Sequence, residues 1–160
     1  MRAYADSSFI VRLITAEPDS AAAIGEYRRA GLPPLFFLPL HTLEVRNAIL
    51  QRAFHQRRSS PARERRHVAR ERDAALGRLE RLIRRQSLLE VALDAEAAIV
   101  RASQLSITHT ERVGARAIDL LHVASALMLD SELFFTADSR QAALAAAEGL
   151  KVVNISPVPA

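Results

Sequence analysis

Along this chain short apolar runs alternate with longer stretches in which apolar positions recur every three or four residues. The short runs predict strands and the longer stretches helices. Arg2 to Ala5 reads as a first strand. Ser7 is placed to cap a helix covering Phe9 to Ala16, with Phe9, Leu13 and Ala16 along one face. Asp19 opens a second helix that stops near Gly31. Pro33-Pro34 breaks the chain before a buried strand, Leu35 to Leu38. A long helix is predicted from Leu40 to Arg57, with Leu43, Leu50 and Phe54 facing inward. Ser59-Ser60-Pro61 interrupts it, with Pro61 at or near the start of the next helix. That helix covers Ala62 to Gln86, and its apolar stripe is Val68, Leu76, Leu79 and Ile83.

The second half repeats the alternation. Leu88 to Ala92 is a third strand, and Asp94 caps a helix running to about Ser106. Thr108 to Arg116 reads as a polar loop, and Ile118 to Leu129 as a strongly apolar helix. Leu133 to Thr136 is a fourth strand, Ser139 to Ala147 a helix ended by Gly149, and Lys151 to Ile155 a last short strand. Strands separated by helices predict an α/β sandwich with a mainly parallel sheet. The 160 residues suit one domain, 1–160, with the Arg-rich helical pair as an excursion from it.

Composition narrows the chemistry. Half the residues are hydrophobic, enough for a real core, and the few aromatics leave it mostly to Leu, Ile, Val and Ala. The chain has no cysteine, which excludes disulfides, thiolate metal sites and cysteine nucleophiles. No apolar run approaches the roughly 20 residues of a membrane span. The N-terminus does not read as a signal peptide, so a soluble cytoplasmic protein is expected. Between Gln51 and Arg85 stand twelve arginines and four acids, a local charge of +8; the remainder has ten basic and fourteen acidic residues, a net −4. A basic segment on an acidic remainder suggests a polyanionic partner on one side. A solvated helix face, or a surface for another protein, is the competing reading.

Four acids stand out by position. Asp6 and Asp138 follow predicted strands, and parallel sheets bind ligands at the carboxyl ends of their strands. Glu44 and Asp119 fall in the first turns of apolar helices. Asp119 has apolar flanks on both sides, which points to burial, and a buried carboxylate needs a partner. Several carboxylates together raise one another's pKa, a penalty that a divalent cation removes. An all-oxygen set selects Mg²⁺ or Mn²⁺ over Zn²⁺. Simpler roles stand beside this one. Asp6 and Asp138 suit turns or helix N-caps, Glu44 a dipole-favoured surface acid, and Asp119 a cap or a salt bridge to Arg116. His122 suits a packed helix position, and the other histidines show no zinc spacing.

Four ordered segments resemble the PIN-domain family, and within it the VapC-type toxins of toxin–antitoxin pairs. They are Tyr4-Ala5-Asp6-Ser7-Ser8, Thr42-Leu43-Glu44-Val45, Arg116 to Ala126 around Asp119, and Phe134 to Gln141, closing on Gly149-Leu150-Lys151-Val152. The resemblance implies a three-layer α/β/α fold and a metal-dependent endoribonuclease. Asp6 and Asp119 would be the principal ligands of Mg²⁺ or Mn²⁺. Glu44 would complete the shell or act through water, and Asp138 would be a further ligand. Together these four would be the catalytic acids, with Ser7 and Thr136 orienting them. RNA is the implied substrate, with Arg52, Arg57, Arg58, Arg63, Arg65 and Arg66 as its candidate contacts. A small antitoxin is the implied protein partner, and homodimers are common in the family. The competing functions are a PIN-fold binding module without catalysis and a PIN nuclease of RNA processing with no antitoxin.

Overall fold

The structure, a computed structural model, describes residues 1–155. The elements in chain order are β1 (Ala3–Ala5), α1 (Ser7–Ile14), α2 (Ser20–Arg29), β2 (Leu35–Phe37), α3 (Pro39–Ser59), α4 (Arg65–Arg84), β3 (Leu88–Glu90), α5 (Ala95–Val113), α6 (Ala117–Met128), β4 (Leu133–Thr136), α7 (Ser139–Ala147) and β5 (Lys151–Asn154). One 3-10 turn, Ala62–Glu64, joins α3 to α4. The strands form one sheet in the order β3-β2-β1-β4-β5, and every pairing is parallel. Among the described residues no helix is long and apolar enough to cross a membrane.

Strand side chains alternate between two cores, as the period of two requires. Ala3, Ala5, Leu35, Phe37, Leu133 and Phe135 face the layer of α1, α2, α3 and α4. Tyr4 and Phe134 face the layer of α5, α6 and α7. Both faces of the sheet are therefore covered, which explains why its strands read as unbroken apolar runs. The chain adds β2 and β3 on one side of β1, then crosses to add β4 and β5 on the other. The order reverses between β1 and β4, where an open sheet leaves a crevice beyond its strand ends.

Two sequence readings fail here. Leu43, Leu50 and Phe54 face solvent; α3 instead buries His41, Val45, Ile49 and Ala53. Both sets keep helical spacing, but the inward set contains smaller and more polar residues. His41 decides the phase. Its Nδ1 accepts from the Leu38 N–H at 2.9 Å, supplying the helix start with a partner that the Leu38 side chain lacks. Its Nε2–H donates to the Ala5 carbonyl, also at 2.9 Å, so α3 is fastened to the end of β1. The predicted loop over Thr108 to Arg116 is also largely helical. α5 continues to Val113 and stops at Gly114, whose φ of 69° is the left-handed conformation glycine supplies at a helix end. The extra turns bury His109, which donates to Glu148 at 2.7 Å, so their polarity reflects one hydrogen-bonded face.

The phase of α3 has a direct consequence for stability. Ile49→Ala should cost about 2–5 kcal/mol, as truncation of a buried aliphatic residue does. Leu50→Ala should stay within about 0.5 kcal/mol, as at most surface positions. Urea denaturation of the two variants measures the contrast, and the reverse ranking would restore the sequence-based phase.

Candidate active site

Asp6, Asp119, Asp138 and Glu44 lie toward the carboxyl edge of the sheet, each delivered by a different element. Asp6 follows β1, is 1 % exposed and caps α1. Its Oδ1 accepts from the Phe9 N–H at 2.8 Å, and its Oδ2 from the Thr136 hydroxyl at 2.7 Å. The Ser8 hydroxyl lies within 2.8 Å of both oxygens. Asp6, and not Ser7, is therefore the α1 cap. Asp138 follows β4 and caps α7, its Oδ1 accepting from the Arg140 and Gln141 N–H groups. The Asp138 N–H donates to the Thr136 hydroxyl at 2.9 Å, so Thr136 joins Asp6 to Asp138.

Asp119 is as buried as Asp6, at 1 % exposed. It stands three residues into α6, where its Oδ2 accepts from the Arg116 N–H at 2.8 Å, the reciprocal half of a capping box. Its Oδ1 accepts from Gln141 Nε2 at 3.0 Å, a bond from α7 to α6. The Arg116 guanidinium spans two acids, reaching Asp119 and Asp138 at 3.3 Å each. Glu44, half-buried on α3, places both of its hydrogen bonds on Oε2. Ser7 donates at 2.8 Å and His122 at 2.6 Å. The two hydroxyl residues expected to orient the acids thus bond to them: Ser7 to Glu44, Thr136 to Asp6.

Charge and burial act differently on the two ends of this cluster. Burial raises the Asp6 pKa, and the charge of His122 with the bonds from Thr136, Phe9 and Ser8 only partly offsets it. Burial also pushes Glu44 up, but the hydrogen bond and charge of His122, helped by Ser7, outweigh it. Glu44 therefore stays below its ordinary pKa, although the charge of Asp119 opposes this. The donors suit a hard cation, since the acids offer only oxygen. Gln141 adds a buried Oε1 with no hydrogen-bond partner, an orphaned oxygen beside Asp119. Among the described residues, no three acidic or histidine side chains stand close enough as placed to enclose one ion. Arg116 fills the gap between Asp119 and Asp138 instead.

Sequence reasoning gave no role to His41 or Gln141 and read His122 only as a packed helix residue, because the partners of all three lie on other elements. Only the apolar flanks of His122 hinted that it is buried. The arginine candidates divide. Arg52 is engaged, pairing with Glu17 at 3.0 Å and donating to the Ala16 carbonyl, so it fastens α3 to the end of α1. Arg57, Arg58, Arg63, Arg65 and Arg66 are exposed around the α3–α4 turn. Arg58 lies 5.5 Å over the ring of Phe54, and Arg63 stands 3.7 Å from Glu64.

The family model of the PIN domain matches residues 3–147, and the chain belongs to that family. PIN domains are generally nucleases. No curated protein matches the chain.

His41 ties this site to pH. Its pKa is lowered from 6.5 to about 3, first by burial and then by the charge of His122, against a smaller upward pull from the Ala5 carbonyl. Below pH 6.5 the unfolded chain therefore binds a proton that the folded chain refuses. The stability contributed by neutral His41 is complete above that pH and is lost as pH falls toward about 3. The slope is at most ~1.4 kcal/mol per pH unit for one proton. Urea unfolding between about pH 7 and pH 5 should show wild type losing stability more steeply than His41→Asn. Equal slopes would contradict a neutral His41.

Proposed function

We propose that this PIN-domain protein is a metal-dependent endoribonuclease that hydrolyses RNA phosphodiester bonds, and that it is the toxin of a VapBC-type pair. What supports the nuclease reading is that two buried carboxylates, Asp6 and Asp119, are linked through Thr136, Asp138 and Arg116 at the carboxyl edge of the sheet, with Glu44 tied to the same region through Ser7 and His122. Such acids repel one another when ionised, and a cation among them removes that cost. Asp6 and Asp119 would hold Mg²⁺ or Mn²⁺, with Glu44 and Asp138 completing the set. When bound, the ion lowers the pKa of water and neutralises charge on the phosphate oxygens. Thr136 and Ser8 fix Asp6, Gln141 fixes Asp119, and Ser7 fixes Glu44. Arg116 must leave the gap between Asp119 and Asp138 for an ion to enter. Once displaced, its guanidinium is suited to a phosphate oxygen.

The exposed Arg57, Arg58, Arg63, Arg65 and Arg66 supply the charge for RNA, and Phe54 adds an exposed ring to the same segment. The toxin reading rests on the likeness of the four acid-bearing segments to VapC-type proteins. It carries with it a small antitoxin, and the whole chain would act as one domain. The placement of Arg116 favours one other reading, a PIN-fold module without catalysis, in which the arginine replaces the ion as permanent counter-charge.

Asp119→Asn should abolish Mn²⁺-dependent RNA cleavage while the fold persists, because the amide oxygen still accepts the capping bond. Cleavage of a defined RNA beside circular dichroism reads both, and retained cleavage by the pure variant would reject the site. A wild type that neither cleaves nor gains thermal stability with Mn²⁺ would favour the module. Neutralising Arg57, Arg58, Arg65 and Arg66 together should weaken RNA binding at low salt by tenfold or more and flatten its salt dependence. Filter binding across a salt series measures this; an unchanged affinity would move RNA elsewhere on the surface.

A further inference from the structure

We infer that His122, held by Tyr4, is a positioning residue that presents Glu44 to the acidic site with one carboxylate oxygen tied and the other free. The inference rests on the reading of Glu44 as a ligand given above. His122 follows Asp119 by three residues on α6, so both project from one face of that helix. It is 1 % exposed, and its ring lies between β1 and α3. The Tyr4 hydroxyl lies within hydrogen-bond distance of Nδ1, at 2.9 Å. Nε2–H donates to Glu44 Oε2 at 2.6 Å, a short charge-assisted bond. Tyr4 at Nδ1 and Glu44 at Nε2 together fix the orientation of the ring.

The support behind Tyr4 is rigid. Its ring stacks on Phe134, with centroids 5.6 Å apart and planes 8° from parallel. It also packs 5.0 Å from His41, the residue that fastens α3 to β1. The relay therefore begins in the core and ends on a side chain that is half exposed and otherwise free to turn. A histidine buried only to be satisfied needs any two partners. This one shares its acceptor with Ser7, whose hydroxyl reaches the same Oε2 at 2.8 Å. Two donors on one oxygen leave Oε1 without a hydrogen bond, available to a cation or its water. A histidine, a tyrosine and a serine on three elements thus set the direction of one flexible acid.

Mn²⁺ binding to the apo protein, measured by calorimetry, tests this without relying on cleavage. His122→Leu should lower Mn²⁺ affinity by about 10-fold or more, the usual effect of losing an outer partner of a metal ligand. His122→Gln keeps an N–H that reaches Glu44 and should recover most of it. Tyr4→Phe should fall between them. In ¹⁵N spectra of the histidine rings, wild type should carry a proton at His122 Nε2, and Glu44→Gln should shift that resonance. A folded His122→Leu protein with wild-type Mn²⁺ affinity would overturn the inference. So would a wild type without a proton at His122 Nε2, a result that needs no variant to fold. Glu44→Gln separates the two claims. If Glu44→Gln leaves Mn²⁺ affinity unchanged, the reading of Glu44 as a ligand fails and the inference falls with it. If Glu44→Gln weakens binding and His122→Leu does not, only the inference fails.

Discussion

The site depends on keeping two carboxylates, Asp6 and Asp119, where water scarcely reaches. An ionised carboxylate removed from water is tolerated only with partners. Here they come from the way a parallel sheet returns its chain. Each strand ends at the same edge, and α1 and α7 start there directly after β1 and β4. α6 also brings its N-terminus to this edge. Free N–H groups and the positive ends of three helices therefore point at the acids. Asp6, Asp119 and Asp138 each accept main-chain N–H groups from these helix starts. The simpler roles anticipated for these residues, as caps and as a partner for Arg116, are thus real. They do not compete with a site, since caps at one edge are what gather the acids.

The fold was legible wherever the sequence had little freedom. β4, α7 and the parallel sheet follow from apolar runs buried on both sides and from Gly149 at a helix end. Other parts were not legible, for reasons that can be named. In α3, Leu43, Leu50 and Phe54 fit a helical repeat as Val45, Ile49 and Ala53 do, so periodicity alone does not choose between them. The choice is made by His41, whose two partners lie on the preceding loop and on β1. In α5 the polar composition past Ser106 hid a helix whose buried face includes a histidine paired to Glu148. A neutral or paired histidine behaves as a core residue, yet local sequence does not reveal the pairing.

The same limit applied to the site. Its acids were visible because their segments have local character: a strand followed by Asp, or an Asp flanked by apolar residues. Of their supporting residues, Ser7 and Thr136 came with the family resemblance, while Tyr4, His122 and Gln141 were not visible as such. Tyr4 and His122 are 118 residues apart, and His122 and Glu44 are 78 apart. Arg52 shows the converse error. It belongs to the most basic stretch of the chain, but Glu17 neutralises it against α1, so a charge count overstates what that stretch offers to a partner.

The position of β1 in the sheet has one more consequence. It precedes the other four strands of the sheet in the chain and is the central one, and its second neighbour, β4, begins only at Leu133. During translation Asp6 therefore waits, without its Thr136 and Phe135 partners, while most of the chain emerges. Asp119 likewise waits for Gln141. A growing polypeptide on the ribosome carries the acids long before it carries the site. The centre assembles only once the segment through Gln141 is clear of the exit tunnel, so the time of its appearance is set by topology.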